Sequence, residues 1–222
     1  MTIAIDLSNA GHLAVARHFV GKDRYRPELA GVLLGPTDTG KGVRIVATDG
    51  YRLSIGIDEA ARVVGTWPTH HGNGKGVLVP GGVLEAIGQH CTYDVGVRIR
   101  VDERGERVRA EVGGRAEAEA GRCAFPFPAF ERVIPPLPLR PATFDGIAVD
   151  ARLLAPICRV GGLLEGSRKA RAPITFWQSD TGPEHPVRTL LVTLDGIACW
   201  SGVVVTRGVM QEARTEKQPL AA

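Results

Sequence analysis

The first twenty residues contain a predicted helix at residues 8–20. Leu13, Ala16 and Phe19 recur every three positions, which is the spacing of a helix that buries one face. Ser8 or Asn9 precedes them and has a side chain suited to cap the helix start. Further along the chain, short runs rich in aliphatic residues take over, which is typical of strands. Three such strands are predicted at residues 30–34, 43–47 and 52–57.

The same order of elements returns twice in the remaining sequence. A strand at 76–80 and a helix at 81–91 precede two alternating runs at 95–101 and 107–121, whose polar positions predict a sheet with one solvent-exposed face. The third copy follows this order with a break in its helix at Pro156 or at the glycine pair after it. Its predicted elements are a strand at 143–149, a helix at 150–164, and strands at 172–178, 187–196 and 197–205.

The pattern therefore predicts an α+β protein built from three βαβββ units of about 70 residues each, given usual element and loop lengths. A proline-rich segment at 125–141 separates the second unit from the third and is the predicted boundary. We predict a domain at 1–136, a shorter domain at 137–212 and a flexible tail at 213–222.

Composition narrows the class of protein without naming a function. The 222 residues are 44% hydrophobic and 23% charged, which is enough apolar surface for a packed core and speaks against a disordered chain. The net charge of +3 permits a nucleic-acid partner but does not require one. The N-terminus lacks a signal-peptide pattern, and no apolar run is long enough to cross a bilayer. These features predict a cytoplasmic protein that does not bind membranes.

The loop GPTDTGKG at residues 35–42 partly matches the sequence pattern of a phosphate-binding loop. It has the glycine, glycine and lysine spacing, but Gly42 stands where a serine or threonine should hold magnesium. A predicted strand follows it, whereas a phosphate loop leads into a helix whose amides face the phosphates. We interpret it as a glycine-rich hairpin loop, with a nucleotide site as the alternative.

Other reactive residue types lack the surroundings that catalysis or metal binding needs. His70 and His71 are adjacent, so on an extended chain they point to opposite sides. The four cysteines, Cys91, Cys123, Cys158 and Cys199, form no Cys-x-x-Cys pair and are expected to be free thiols. No serine lies in a nucleophile-elbow motif. We predict no enzymatic activity, no cofactor and no metal.

Two groups of basic residues could meet nucleic-acid phosphates. Lys22, Arg24 and Arg26 surround Tyr25, and cations beside an aromatic ring can neutralise phosphates and stack on a base or sugar. A second group consists of Arg168, Lys169 and Arg171. The alternative for both groups is a solvated loop that keeps the protein soluble.

Four segments, in the same order and spacing, resemble the bacterial DNA polymerase III beta subunit, the sliding clamp family. VATDGYRLSI at 46–55 resembles a turn of the second clamp domain, and LAGVLL at 29–34 resembles the preceding strand. GVLVPGGVLEAI at 76–87 and FPFPAFERVIP at 125–135 resemble the segments that follow. Residues 137–222 match less well, a first clamp domain is absent, and Ala129 replaces the usual aspartate of its segment.

The resemblance implies the DNA clamp fold, with repeated βαβββ units, helices on the inner wall of a ring and antiparallel sheets outside. Double-stranded DNA would thread the hole through sequence-nonspecific contacts. A DNA polymerase or clamp loader would dock a short peptide into an outer cleft. The cleft residues implied on this chain are Leu29, Thr48, Gly50, Tyr51, Arg52, Leu53, Pro135, Val203 and Val205. The DNA-facing residues implied or suggested are Arg17, Lys22, Arg24, Tyr25, Arg26, Arg152, Arg159, Arg168 and Lys169.

The number of subunits in a closed ring follows from the number of βαβββ units in each chain. The resemblance implies twelve βαβββ units per ring, so a chain with three units would form a tetramer. If the C-terminal part is instead a reduced whole domain, two domains per chain would give a trimer. Both are cyclic homo-oligomers that join one end of the chain to the other. The alternative is a clamp-like module that forms no ring and captures clamp-binding peptides as an adaptor or decoy.

Overall fold

The computed structural model describes residues 3–69, 75–102, 106–121, 125–142, 147–166, 172–179, 189–205 and 207–208. Along the chain, the strands are β1 (Ile3–Leu7), β2 (Gly31–Pro36), β3 (Val43–Thr48), β4 (Arg52–Asp58), β5 (Arg62–Val64), β6 (Val77–Pro80), β7 (Val97–Val101), β8 (Arg107–Val112), β9 (Ala116–Gly121), β10 (Leu139–Pro141), β11 (Ile147–Ala148), β12 (Ile174–Ser179), β13 (Thr189–Leu194), β14 (Trp200–Val205) and β15 (Arg207–Gly208). The helices are α1 (Gly11–Ala16), α2 (Gly81–Ile87), α3 (Ala151–Leu154) and α4 (Ile157–Glu165). Short 3-10 turns cover Arg17–Phe19, Pro27–Leu29, Gly88–His90 and Phe130–Val133.

Two antiparallel sheets carry the architecture. The first has the order β5-β1-β7-β8-β9, and the second has the order β10-β12-β13-β14-β4-β3-β2-β6. The first two units exchange their opening strands, because β1 pairs with β7 while β6 pairs with β2. This exchange ties the units together, so neither sheet is complete without residues from both. The predicted α+β class and the repeated βαβββ units are confirmed.

The second sheet runs without a break from the first unit into the third. β4 pairs antiparallel with β14, from the pair Arg52 and Val204 to the pair Gly56 and Trp200. Trp200 also donates from its indole Nε1 to Ser54 Oγ at 2.9 Å, which satisfies a buried polar group at the seam. The last strand of one unit thus joins the last strand of another. The domain boundary at residue 136 stays a prediction.

The helices share one hydrophobic core with the inner faces of both sheets. All six residues of α1 are buried, so this helix is enclosed and has no solvent-exposed polar face. Gly11 permits the contact between α1 and α4, because a Cβ there would lie 2.5 Å from the carbonyl oxygen of Leu163. The ring of Phe19 lies 6.2 Å from that of Trp200 and extends the core to the β4–β14 seam.

Several local predictions need correction. The helix predicted at 8–20 spans only Gly11–Ala16 before it tightens into the 3-10 turn, and strand β1 before it was not predicted. Its N-cap is Ala10, whose methyl side chain cannot accept a capping hydrogen bond. Asn9 Oδ1 instead accepts from the Gly11 amide at 2.7 Å. The break at Pro156 is confirmed, since α3 ends at Leu154 and α4 begins at Ile157.

Two further predictions concern particular parts of the chain. The run at 107–121 forms two strands, β8 and β9, because Gly113 and Gly114 adopt positive φ and turn the chain. Of the strand predicted at 143–149, β11 is the described part, and the predicted tail at 213–222 lies outside the described residues. None of the helices in the described ranges is long and apolar enough to span a membrane.

Candidate binding groove and basic surface

The turn between β3 and β4 is held by its own side chains. Asp49 Oδ1 accepts from the amides of Tyr51 and Arg52, each at 3.0 Å. Thr48 Oγ1 accepts from the Gly50 amide at 3.1 Å and donates to the Arg52 carbonyl at 2.9 Å. Gly50 has a φ of +89°, which favours glycine. The segment is therefore a rigid turn that presents its side chains in fixed positions.

One groove of about 170 Å³ opens beside this turn. It is assembled from four separate segments of the chain, at 26–29, 48–53, 128–133 and 203–205. The lining residues are Arg26, Leu29, Thr48, Gly50, Tyr51, Arg52, Leu53, Pro128, Ala129, Phe130, Val133, Val203 and Val205. Eight of the nine residues named for the cleft from sequence therefore come together in space.

Pro135 is the exception, since it is buried and does not line the groove. The 3-10 turn Phe130–Val133 separates Pro135 from Pro128, and Pro128 is the proline that lines the groove. The segment matched in the sequence therefore reaches the groove through Pro128, and a role for Pro135 in peptide binding stays a prediction. Phe130 and Val133 were missed as well, although the same matched segment contains both.

The floor of the groove is a second apolar cluster of buried side chains. Leu53, Phe130 and Val203 are buried together with Val46, Leu78 and Phe127. The Phe127 and Phe130 rings pack edge to face with centroids 6.3 Å apart, a favourable aromatic geometry. The rim is open, since Tyr51 is 63% exposed and Val133 is 43% exposed. A buried apolar floor with an exposed aromatic rim is typical of a preformed recognition site.

Arg52 lines the groove and also contacts the 3-10 turn Arg17–Phe19. Its side chain is only 14% exposed and its Nε donates to Asp49 Oδ2 at 2.8 Å. Nη2 donates to the carbonyl oxygen of His18 at 3.2 Å, and the guanidinium lies 5.3 Å from the Phe19 ring centroid. Nη1 is buried without a hydrogen-bond partner among the described residues. Arg52 is therefore a structural member of the groove wall as well as a lining residue.

A larger cavity of about 490 Å³ adjoins the groove and shares Tyr51, Arg52 and Val205 with it. Its other wall is the start of α3, with Asp150, Arg152 and Leu153. Arg152 Nη2 donates to Asp150 Oδ2 at 2.7 Å, and Asp150 also caps the helix by accepting from the Arg152 amide at 2.9 Å. Arg152, named from sequence for DNA contact, thus lies beside the groove and is paired with an acid.

Arg26 also lies on the groove side. A Cβ added at Gly50 would come within 2.6 Å of Arg26 Nη1, so the guanidinium lies directly across the glycine of the turn. Arg26 Nε donates to Glu28 Oε1 at 3.3 Å. The sequence assigned Arg26 to DNA together with Lys22 and Arg24, whereas the structure places it among the groove-lining residues.

A basic surface lies around His18, at the end of the first helical segment. Burial and the neighbouring cations Arg17, Arg159, Arg52 and Lys22 together hold the pKa of His18 below its usual value. Lys22 and Arg159 are exposed, and Arg17 extends toward the 3-10 turn after α2, where Gly88 leaves room for its guanidinium. Three of the cations named for DNA contact therefore share one surface, although they come from different elements.

The remaining candidates for DNA contact are exposed or undescribed. Arg24 donates to the Tyr25 hydroxyl at 2.7 Å, and its guanidinium lies 4.8 Å from the centre of that ring. Both side chains project from the loop after α1. Arg168 and Lys169 lie outside the described residues. DNA contact by each of these residues stays a prediction.

The sequence also offered a possible phosphate-binding loop, four cysteines and a histidine pair as candidate sites. The 35–42 loop joins antiparallel strands β2 and β3, so the hairpin interpretation is confirmed. Cys91, Cys158 and Cys199 are free thiols, and burial raises the pKa of Cys91 to about 11, which makes it unreactive at neutral pH. Among the described residues, no group of three or more His, Cys, Asp or Glu side chains could hold a metal ion. The adjacent pair His70 and His71 lies outside them.

Comparison with known proteins identifies the fold as that of a DNA sliding clamp. No protein-family model matches the sequence, and neither does any curated protein. Solved structures do match, among them several DNA polymerase III beta subunits. The DnaN sliding clamp from Bartonella birtlesii, solved with griselimycin, has a TM-score of 0.61 at 17% identity, over 93% of this chain and 65% of that one.

Two further beta subunits give the same result. The protein from Borrelia burgdorferi, solved with a natural product, has a TM-score of 0.59 at 12% identity, over 92% of this chain and 64% of that one. The Caulobacter crescentus protein has a TM-score of 0.59 at 17% identity, over 91% and 66% of the two chains. This chain therefore spans slightly less than two thirds of the length of the clamps it matches.

Proposed function

We propose that this protein is a DNA sliding clamp, a processivity factor that encircles duplex DNA and tethers a replicative polymerase through a docked peptide. The observation that carries the proposal is the groove: four separated segments of a clamp-fold chain meet to line one apolar pocket. The role needs no catalytic chemistry. It needs a surface that holds a partner and a second surface that holds DNA loosely.

The groove supports the docking of a short extended peptide. Its volume and its buried floor of Leu53, Phe130 and Val203 suit one or two apolar side chains, which act as anchors in such sites. Because the floor is already packed, a peptide would bind without a large reorganisation cost. A clamp loader would use the same groove.

The basic surface supports the DNA contact. Arg17, Lys22 and Arg159 lie around His18, and such cations neutralise phosphates without reading sequence. Each contact of this kind is weak, and its contribution to affinity decreases as the salt concentration rises. Weak contacts allow a protein to remain mobile on DNA. The surface is made by the 3-10 turn after α1, by α4 and by the loop that leads to β2, so these helical segments would line the hole.

Strand β9 supports ring closure. In the first and third units, the last strands β4 and β14 pair with each other. β9 is the last strand of the second unit, and among the described strands it pairs with β8 alone. An exposed edge of six residues is a ready template for a strand of another chain. We place the junction between subunits there, in a head-to-tail ring.

Light scattering tests the ring. Four chains of 23.7 kDa each would give a particle of about 95 kDa, and the trimer that the reduced-domain count allows would give about 71 kDa. A particle of one chain at micromolar concentration would contradict the ring. If that monomer still bound a clamp-binding peptide, the chain would instead be an adaptor or decoy module.

A further inference from the structure

We propose that the outer face of the first sheet, β5-β1-β7-β8-β9, is a second docking surface for a protein. The segment that it takes is extended and carries an acidic residue on each side of an apolar one. Arg62 on β5 and Arg100 on β7 would bind the two carboxylates, and Ala4 and Val64 would contact the apolar side chain. None of these four residues lines the groove or belongs to the basic surface around His18.

Side chains on this sheet alternate between the core and the solvent. In β7 the residues at 97, 99 and 101 are buried, whereas Arg98 and Arg100 are exposed. Arg107 and Arg109 of β8 and Arg62 of β5 project to the same side. Cross-strand ion pairs normally neutralise such a face from within. An arginine that lacks such a pair is therefore available to a ligand.

Three of these five arginines are already paired with an acid on a neighbouring strand. Arg98 donates from Nε to Asp6 Oδ1 at 2.6 Å and from Nη2 to Asp6 Oδ2 at 3.2 Å. The other two pairs are Arg107 with Glu119 and Arg109 with Glu117. A ligand carboxylate would have to displace an existing acid to bind any of the three, which makes them poor recognition groups.

Arg62 shares a single acid with Arg98. It lies opposite Asp6 in the register of β1 and β5, but both carboxylate oxygens of Asp6 accept from Arg98. The hydrogen bond from Arg98 is the main cause that lowers the pKa of Asp6. The charges of Arg62 and Arg100 act in the same direction, so both lie near this carboxylate. Within the described ranges Arg62 forms no ion pair, which leaves its donors open to a ligand.

Arg100 has no acid at its own position in the sheet. Its cross-strand neighbours are Ala4 on β1 and Arg109 on β8, and it forms no ion pair with any residue that the structure describes. Like charges that face each other across two strands are destabilising. An arginine can bind a carboxylate through two parallel hydrogen bonds. A ligand carboxylate at Arg100 would therefore supply the countercharge that the fold omits.

An apolar contact lies beside these two cations. Ala4 and Val64 face each other across β1 and β5, and Val64 is 67% exposed. In a sheet, Val64 should lie about 7 Å along the strand from Arg62 and about 10 Å across two strands from Arg100. An extended segment advances about 3.3 Å per residue. These distances suit one acid about two residues from the apolar side chain and another about three residues away on its other side.

The acids on this face favour a protein segment over a nucleic acid. Asp6 and Glu111 lie opposite Arg98 on its two sides, so they would repel a continuous row of phosphates. A peptide presents its carboxylates singly and can place them at Arg62 and Arg100 alone. The partner that fits is therefore a protein with an acidic extended segment.

Fluorescence anisotropy with labelled synthetic peptides at low salt tests the proposal. One short peptide has a leucine with a glutamate two residues before it and another three residues after it, in a background of serine and glycine. A second peptide has the reverse order, and each peptide has a glutamine twin. The proteins are the wild-type chain, Arg62→Gln, Arg100→Gln and the variant with both changes. The matched control is Arg107→Gln, which removes the same charge from the same face where Glu119 already neutralises it.

We expect the wild type to bind at least one glutamate peptide about fivefold or more tightly than its glutamine twin. Arg62→Gln and Arg100→Gln should each lower this preference by about twofold or more, and both changes together should bring the twins within about twofold of each other. Arg107→Gln should keep the preference. Equal binding of the twins by the wild type would overturn the inference, and so would a full preference in the double variant.

A charge reversal at Arg100 separates docking from folding. Arg100→Glu should abolish the preference and raise the midpoint of urea denaturation, because an acid would then face Arg109. A lower midpoint would mean that Arg100 already stabilises the sheet through a partner of its own, which would overturn the inference. Duplex DNA serves as the competing ligand. If the double variant lost affinity for duplex DNA and bound the peptides as the wild type does, the face would contact nucleic acid and the inference would be wrong.

Discussion

The groove and the basic surface lie on two sides of Arg52 and are built in opposite ways. The groove is made of buried apolar side chains and a turn whose polar groups bond to one another. The basic surface around His18 is made of cations such as Lys22 and Arg159 that are exposed to solvent. Packing fixes the geometry of the groove, whereas the main feature of the basic surface is its positive charge.

This difference defines what each region can recognise. A packed floor discriminates by shape, so its binding should depend little on salt and strongly on single side chains. A set of exposed cations discriminates by charge, so its binding should fall with salt and be shared over many residues. The proposed clamp function would need both behaviours at once: firm binding of a protein partner and weak binding of DNA. A substitution in one region should therefore spare the function of the other.

The largest effect is expected from the groove floor. Leu53→Ala should lower the free energy of unfolding by about 2–5 kcal/mol, because it opens a cavity among packed side chains. Tyr51→Ala on the exposed rim should change it by less than about 0.5 kcal/mol, yet weaken peptide binding. Urea denaturation measures both free energies. Equal destabilisation by the two variants would mean that the rim and the floor are not distinct.

A smaller effect is expected from the turn. Asp49→Ala removes the acceptor for two amides and leaves the charge of the largely buried Arg52 unpaired, so we expect a loss of about 1–3 kcal/mol. Asp38→Ala is the matched control, since Asp38 also pairs with an arginine, Arg44, but is exposed. It should change stability by less than about 0.5 kcal/mol. If Asp49→Ala behaved like the control in urea denaturation, the turn would not be held by its own side chains.

The basic surface should respond to salt. The double variant Lys22→Gln and Arg159→Gln should reduce the slope of log affinity against log salt by up to about 2 for duplex DNA. Its affinity for a groove peptide should stay the same. Arg107→Gln, on the exposed side of β8, is the control of like charge. An unchanged slope in fluorescence anisotropy would remove these residues from the DNA contact.

The smallest effect is expected from pH. Burial and four nearby cations keep the pKa of His18 below 6.5 in the free protein, so the neutral form predominates above that value. DNA phosphates would favour the protonated form, so affinity at constant salt should rise a few fold as pH falls below about 6.5. His18→Gln should flatten this dependence in fluorescence anisotropy. Folding stability changes with pH in the opposite direction. The unfolded chain binds a proton at His18 more readily than the folded chain does, so stability decreases as pH falls through this window.

Much of the fold was predictable because the strand and helix patterns are local. The runs at 43–47 and 52–57 became β3 and β4, and the third helix divided at Pro156, which was one of the two break points predicted. Strand β1 was missed because residues 3–7 are too short a run to stand out before a stronger helical pattern. The end of α1 was misjudged because this helix is buried on all sides, which removes the polar face that marks helix length.

Only the part of the candidate site that lies within a family motif could be predicted from the sequence. The turn at 48–53 carries its own geometry, so its residues could be named from sequence and are found together. Pro135 lies outside the groove and Arg26 lies among its lining residues, because both positions depend on how distant segments of the chain pack together. The seam between β4 and β14 joins residues about 150 positions apart, and no local pattern indicates such a pairing.

Retention on circular DNA is the most direct test of the central claim, that this chain forms a ring around the duplex. Protein bound to a nicked circular plasmid is separated by gel filtration at moderate salt, and the plasmid is then cut once by a restriction enzyme. We expect the protein to co-elute with the circle and to leave the DNA after linearisation, because a ring slides off an end. Equal retention on circular and linear DNA would contradict the account and indicate ordinary DNA binding.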